Sequence, residues 1–99
     1  MNRVFKALGD PTRRRILQML RLRPMTAGEL AAAFDLAKPT LSGHFAVLRE
    51  ADLISADKAG ATITYRLNLS VLQDALLGFA DSFGIGATDT SPVSIEDTP

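Results

Sequence analysis

The side chains best suited to chemistry in this sequence are two hydroxyls, three cations and one imidazole: Thr40, Ser42, Lys38, Lys58, Arg66 and His44. Hydroxyls can read base edges as donor or acceptor, and lysine and arginine neutralise phosphate. Residues 38–50 (KPTLSGHFAVLRE) repeat Leu41, Phe45 and Leu48 at helical spacing, which marks one buried stripe. Opposite that stripe lie Pro39, Ser42, Gly43 and Ala46, flanked by Thr40 and Val47. These groups are small enough for the helix backbone to lie close to base edges in a major groove. A purely solvated helix face would carry more charge. None of the outward residues is Arg, Asn or Gln, whose bidentate base contacts give about 1–3 kcal/mol of discrimination. Direct readout therefore falls to Thr40, Ser42 and apolar contact with thymine methyls, with DNA shape supplying part of the specificity.

Lys38 starts the helix, where the helix dipole favours an acid, so an external anion accounts for a cation there. Lys58, expected at a hairpin tip, and Arg66, on the polar side of its strand, read as phosphate contacts in the same way. His44 projects between the buried stripe and the outer face; a satisfied half-buried histidine and a phosphate or base contact both fit it. The run Arg13-Arg14-Arg15 is not one patch. Arg13 projects toward the apolar face of its helix, as a structural arginine does when it pairs with a carboxylate or capping carbonyls. Arg14 and Arg15 point outward and add only field.

Other chemistries are excluded by composition. With no cysteine there is no disulfide, no thiolate nucleophile and no Cys-type zinc site. The one histidine cannot make a metal site alone, and Asp74 and Asp81 read as a polar helix face. There is no nucleophile–base pair and no Gly-rich phosphate loop after a strand, so no enzyme, cofactor or metal is expected. No apolar run approaches about 18 residues, so no membrane span is expected. Arg3, Lys6 and Asp10 break up any leader-like N-terminus, which points to the cytoplasm. The zero net charge hides a division. All 11 Lys and Arg lie in residues 1–66 with six acids, while residues 67–99 hold five acids and no cation. Such asymmetry suggests a basic working surface and an acidic end with another role.

The elements that position these residues are legible in turn. Residues 2–8 read as a short helix with Val4, Phe5 and Leu8 on one side. Asp10 can cap a second helix that starts at Pro11 and closes at Pro24. Thr26 and Glu29 form a capping box for a short alanine-rich helix, 27–34. A turn around Asp35-Leu36-Ala37 leads into the 38–50 helix, which stops at Asp52. Two short strands, 53–56 and 62–67, follow, joined by a loop through Lys58 to Ala61. In the second, Ile63, Tyr65 and Leu67 alternate with Thr62, Thr64 and Arg66. Ser70 can cap a last helix, 71–83, striped by Leu72, Leu76, Phe79 and Phe83. That stripe suits a partner helix or the domain's own core. The expected architecture is mainly α (α+β): a winged helix-turn-helix over residues 1–83, five helices with a two-stranded β-hairpin wing. Residues 84–99 are expected to be an acidic disordered tail.

ALGDPTRRRILQML, ELAAAFDLAKPTLSGHFAVLREADLI and the stretch from Lys58 to YRLN together resemble the ArsR family of small bacterial winged-helix repressors. VFKALGDPTRRRIL, MTAGELA and LNLSVLQD are most like its SdpR-type autorepressor subgroup. The resemblance covers residues 2–83 and departs from the family pattern at Gly43, Phe45 and Asp52. It implies a sequence-specific repressor of double-stranded DNA, a homodimer on a two-fold operator. It also implies a dimer interface of Val4, Phe5, Leu8, Leu72, Leu76, Phe79 and Phe83. The alternative from the residues alone is a winged-helix adaptor that binds protein.

Overall fold

The computed structural model describes residues 2–85. Eight elements follow in order. They are α1 (Asn2–Leu8), α2 (Pro11–Leu22), β1 (Met25–Thr26), α3 (Ala27–Ala32), α4 (Lys38–Glu50), β2 (Ile54–Ala59), β3 (Thr62–Leu67) and α5 (Leu69–Ser82). The five expected helices and the hairpin are all present. The caps explain several boundaries. Asp10 Oδ2 accepts from the amides of Thr12 (2.8 Å) and Arg13 (3.2 Å), with Pro11 opening α2. The Thr26 hydroxyl accepts from the Glu29 amide at 3.0 Å, and the Glu29 carboxylate accepts from the Thr26 amide at 2.9 Å, closing the capping box of α3. Asp52 takes φ 59°, a left-handed conformation that a short polar residue tolerates, and this ends α4.

Four details differ from the sequence expectation. The sheet has three strands, not two, in the order β1-β3-β2, because Met25 and Thr26 pair antiparallel with Tyr65 and Thr64. Helix α3 stops at Ala32, since the amides of Ala33 and Phe34 turn back to the carbonyls of Leu30 and Ala31. The wing strands run to Ala59 and from Thr62, leaving only Gly60-Ala61 as the turn. Gly60 has φ 62°, the positive value that the first position of a type II′ hairpin turn requires. Helix α5 starts two residues earlier than 71, after Asn68, so Ser70 lies inside its first turn. Asn68 is used as a latch: its side chain donates to the Asp52 carbonyl (2.8 Å) and its amide to the Leu53 carbonyl (2.9 Å). The tail expected from 84 onward falls mostly at 86–99, outside the described residues.

The core forms where α1, α2, α4 and the sheet meet. Ile16, Leu30, Leu48 and Leu53 are fully buried, and Leu41 and Phe45 complete the inward stripe of α4. Each buried side chain of this size contributes about 1.5–3 kcal/mol relative to exposure. Phe45 stacks on Tyr65 with ring centroids 4.6 Å apart, which fixes the wing against α4. Replacing Thr26 by Ala removes the cap of α3 and is expected to cost about 1 kcal/mol in urea unfolding. An unchanged midpoint would show that the capping box does not support the helix-turn-helix.

Candidate nucleic-acid interface

Burial of Leu41, Phe45 and Leu48 turns Lys38, Pro39, Thr40, Ser42, Gly43 and Ala46 into solvent. Val47 is half-buried at the margin of the core, so only its edge is offered outward. Helix α4 begins at Ala37 with no side-chain cap, no acid in its first turn, and Pro39 close behind. Its first amides and Lys38 therefore present positive charge with no carboxylate to neutralise them, as an anion at a helix start requires.

Gly43 has no packing reason to be glycine. A Cβ built there meets nothing within 4 Å. Glycine inside a helix costs about 1 kcal/mol relative to alanine, so the fold alone would favour a larger residue. Nothing in the packing of the domain accounts for the choice.

The hairpin places its two cations differently. Lys58 pairs with Ile63 and Ala56 with Tyr65, so Lys58 shares the face of the strand residue that stacks on Phe45 of α4. It lies next to the Gly60-Ala61 turn and is exposed. Arg66 lies on the opposite face, where its Nε donates to Asp57 Oδ2 at 3.1 Å. The structure thus brings Lys58 to the α4 side and leaves Arg66 in an exposed ion pair.

His44 is turned inward. Its side chain is 16% exposed, and its Nδ1 lies 3.1 Å from Arg13 Nη1 and 3.9 Å from Asp10 Oδ2. Arg13 also donates to the last carbonyls of α1, from Nε to Ala7 (2.8 Å) and from Nη2 to Lys6 (3.0 Å). It is a capping arginine. At Asp10, partial desolvation raises the carboxyl pKa, but hydrogen bonds from the amides of Arg13 and Thr12, helped by the nearby Arg13 guanidinium, outweigh it and lower the net value. Arg14 reaches back as well, donating to the Leu8 carbonyl at 2.7 Å. Neither arginine contact had a sequence signal beyond Arg13's helical phase, because both depend on where α1 folds.

On the far side of the domain, Phe5 stacks on Phe79 at 4.7 Å and Phe79 meets Phe83 edge-on at 5.1 Å. Phe79 is 47% exposed and Phe83 66%, although both are apolar. Val4 differs from its neighbours, being buried in the protomer's own core. Leu8, Leu72 and Leu76 line an open groove of about 490 Å³ together with Leu17, Leu67 and Leu69. The stripe on α5 did not reveal Leu17 or Leu67, which join it only through the fold of α2 and β3, and Leu69 was missed because the helix begins earlier than 71.

A short helix, a tight turn, a second helix with a small-residue outer face and a basic hairpin beside it define a winged helix-turn-helix DNA-binding fold. Residues 8–55 match a helix-turn-helix domain family. The chain is 49% identical over 76 residues to the transcriptional repressor SdpR of Bacillus subtilis (strain 168), covering 77% of this chain and 84% of SdpR. It is 37% identical over 67 residues to the HTH-type transcriptional regulator Rv2034 of Mycobacterium tuberculosis, covering 68% of this chain and 63% of that regulator. A crystal structure of an ArsR family transcriptional regulator matches at TM-score 0.78 and 32% identity, over 84% of this chain and 91% of that one. The chain belongs to the ArsR family of winged helix-turn-helix transcriptional regulators. That is a family of DNA-binding proteins and not of enzymes, and no helix among the described residues is long and apolar enough to cross a membrane.

The Gly43 geometry yields a test with two opposed readouts. Gly43→Ala is expected to stabilise the fold by up to about 1 kcal/mol in denaturant titration, while weakening binding to promoter DNA. A stabilised variant with unchanged DNA affinity would remove close approach as the reason for this glycine.

Proposed function

We propose that this chain is a homodimeric repressor of the cytoplasm that occludes a promoter carrying a two-fold symmetric operator. Helix α4 is its reading head, within a single domain of residues 1–83. Thr40, Ser42 and Gly43 meet base edges, with Pro39 and Val47 at the margins. Lys38 and Lys58 meet phosphates, and Arg66 adds to the field or trades Asp57 for phosphate. His44 contributes at the edge of this face. The observation that carries the reading is the uncapped start and exposed small-residue face of α4, and the exposed Lys58 beside the wing turn supports it. The resemblance to the autorepressor subgroup supports a protein that limits its own expression.

Dimerisation is supported by the exposed aromatic patch. A monomer leaves Phe79, Phe83 and Leu76 in water beside Phe5, and a self-complementary contact through α1 and α5 removes them from it. Two reading heads about 34 Å apart then act at high effective concentration, which compensates for a helix without bidentate side chains.

Fluorescence anisotropy with a duplex of the chain's own promoter region tests the first part. Tight binding that weakens with salt is expected; no binding at low salt would sink the repressor reading and favour a protein-binding adaptor. In the same titration Lys58→Ala is expected to weaken specific and nonspecific binding alike and to lower the salt slope by about 0.9, whereas Thr40→Ala erodes the ratio between them. The reverse pattern would overturn the assignment of phosphate and base contacts. For the interface, Phe79→Asp is expected to give monomers in sedimentation velocity and to lower operator affinity by about a hundredfold or more. A Phe79→Asp dimer of unchanged affinity would place the interface elsewhere.

A further inference from the structure

The cluster of Arg13, His44 and Asp10 joins three elements, and DNA contact by itself does not explain it. Arg13 sits in the first turn of α2, His44 in the middle of α4, and the carbonyls of Lys6 and Ala7 at the end of α1. A guanidinium carries five N–H donors and no acceptor. Arg13 directs Nε and Nη2 to Ala7 and Lys6 and Nη1 to His44 Nδ1. A donor-only group can hold that nitrogen only if the nitrogen accepts. The imidazole must therefore be neutral, with its proton on Nε2.

The competing arrangement puts a proton on Nδ1 and aims it at Asp10. Its distance of 3.9 Å is beyond hydrogen-bond reach, and Asp10 Oδ2 already accepts from the amides of Thr12 and Arg13. A protonated Nδ1 would also set N–H against N–H at 3.1 Å. Geometry selects the first arrangement.

We propose that Arg13 is a positioning residue for DNA recognition, holding His44 as the Nε2–H imidazole and so tying the reading helix to the C-terminal end of α1. The inference rests on α4 being the reading helix. Its consequence is a connection between two surfaces. The residues that place α4 for the major groove are fastened, through one guanidinium, to the helix that carries Phe5 and Leu8 of the dimer patch. The far nitrogen of His44, Nε2–H, becomes the only donor the ring can offer outward.

The sequence contains a single histidine, so its ring gives an unambiguous signal in nitrogen-resolved NMR of the intact, DNA-free protein. The expected result is a neutral ring protonated on Nε2; a ring protonated on Nδ1 would overturn the proposal without any variant being made. The second measurement is a double-mutant cycle on promoter-duplex affinity. Arg13→Gln and His44→Leu are each expected to weaken binding about tenfold, and the two together no more than either alone. His44→Asn, whose Oδ1 can accept from Arg13 in place of Nδ1, is expected to recover a clear part of the affinity that His44→Leu loses. Additive losses, or His44→Asn as weak as His44→Leu, would show that the two residues act separately. A parent protein that fails to bind DNA would refute the repressor reading instead, while the ring's protonation would still decide the tie between Arg13 and His44.

Discussion

The rest of the structure depends on burial of one stripe of α4. With Leu41, Phe45 and Leu48 committed to the core, the opposite face of that helix has no choice but solvent or a ligand. The same stripe aims the wing, because Phe45 is the platform on which Tyr65 stacks. Antiparallel pairing then carries Lys58 onto the α4 side and Arg66 away from it. A single hydrophobic commitment thus orients both the outer face of α4 and the wing.

Three local rules are broken along the start and outer face of α4. A lysine stands where a helix start favours an acid, the helix has no side-chain cap, and a glycine occupies a mid-helix site that has room for a side chain. Other elements follow local rules, as in the Asp10 cap, the Thr26–Glu29 box and the glycine turn of the wing, although α5 too starts without a side-chain cap or an early acid. Sequences tend to be locally consistent except where function asks otherwise. An anionic rod lying close to a smooth helix, as proposed above, would answer all three.

The opposite side of the domain shows a different imbalance. Leucine side chains from α1, α2, β3 and α5 line a groove, and Leu76, Phe79 and Phe83 of α5 remain 45–66% exposed. Two arginines of α2 reach back to the end of α1, and one of them, Arg13, also meets His44, so this side and α4 are mechanically close. In a domain this small, few residues separate one surface from the other.

Legible in the sequence alone were the order of the five helices and the hairpin, the caps of α2 and α3, the buried stripe and the bland character of the outer helix face. Each of these is local, set by periodicities of 3.6 and 2 or by a side chain bonding to amides two or three residues away. What only the tertiary structure decided is whatever depends on distant segments meeting. Met25 and Thr26 become a strand because Tyr65 and Thr64 come alongside, and two residues carry no periodicity to read. Arg66 finds Asp57 through the register of the hairpin, and Val4 is drawn into the protomer's core while Phe5 beside it is not. His44, which the sequence left open between a satisfied histidine and a contact residue, has its Nδ1 taken by an arginine 31 positions away. No local pattern encodes such a partner; it exists only once α1, α2 and α4 have closed around it.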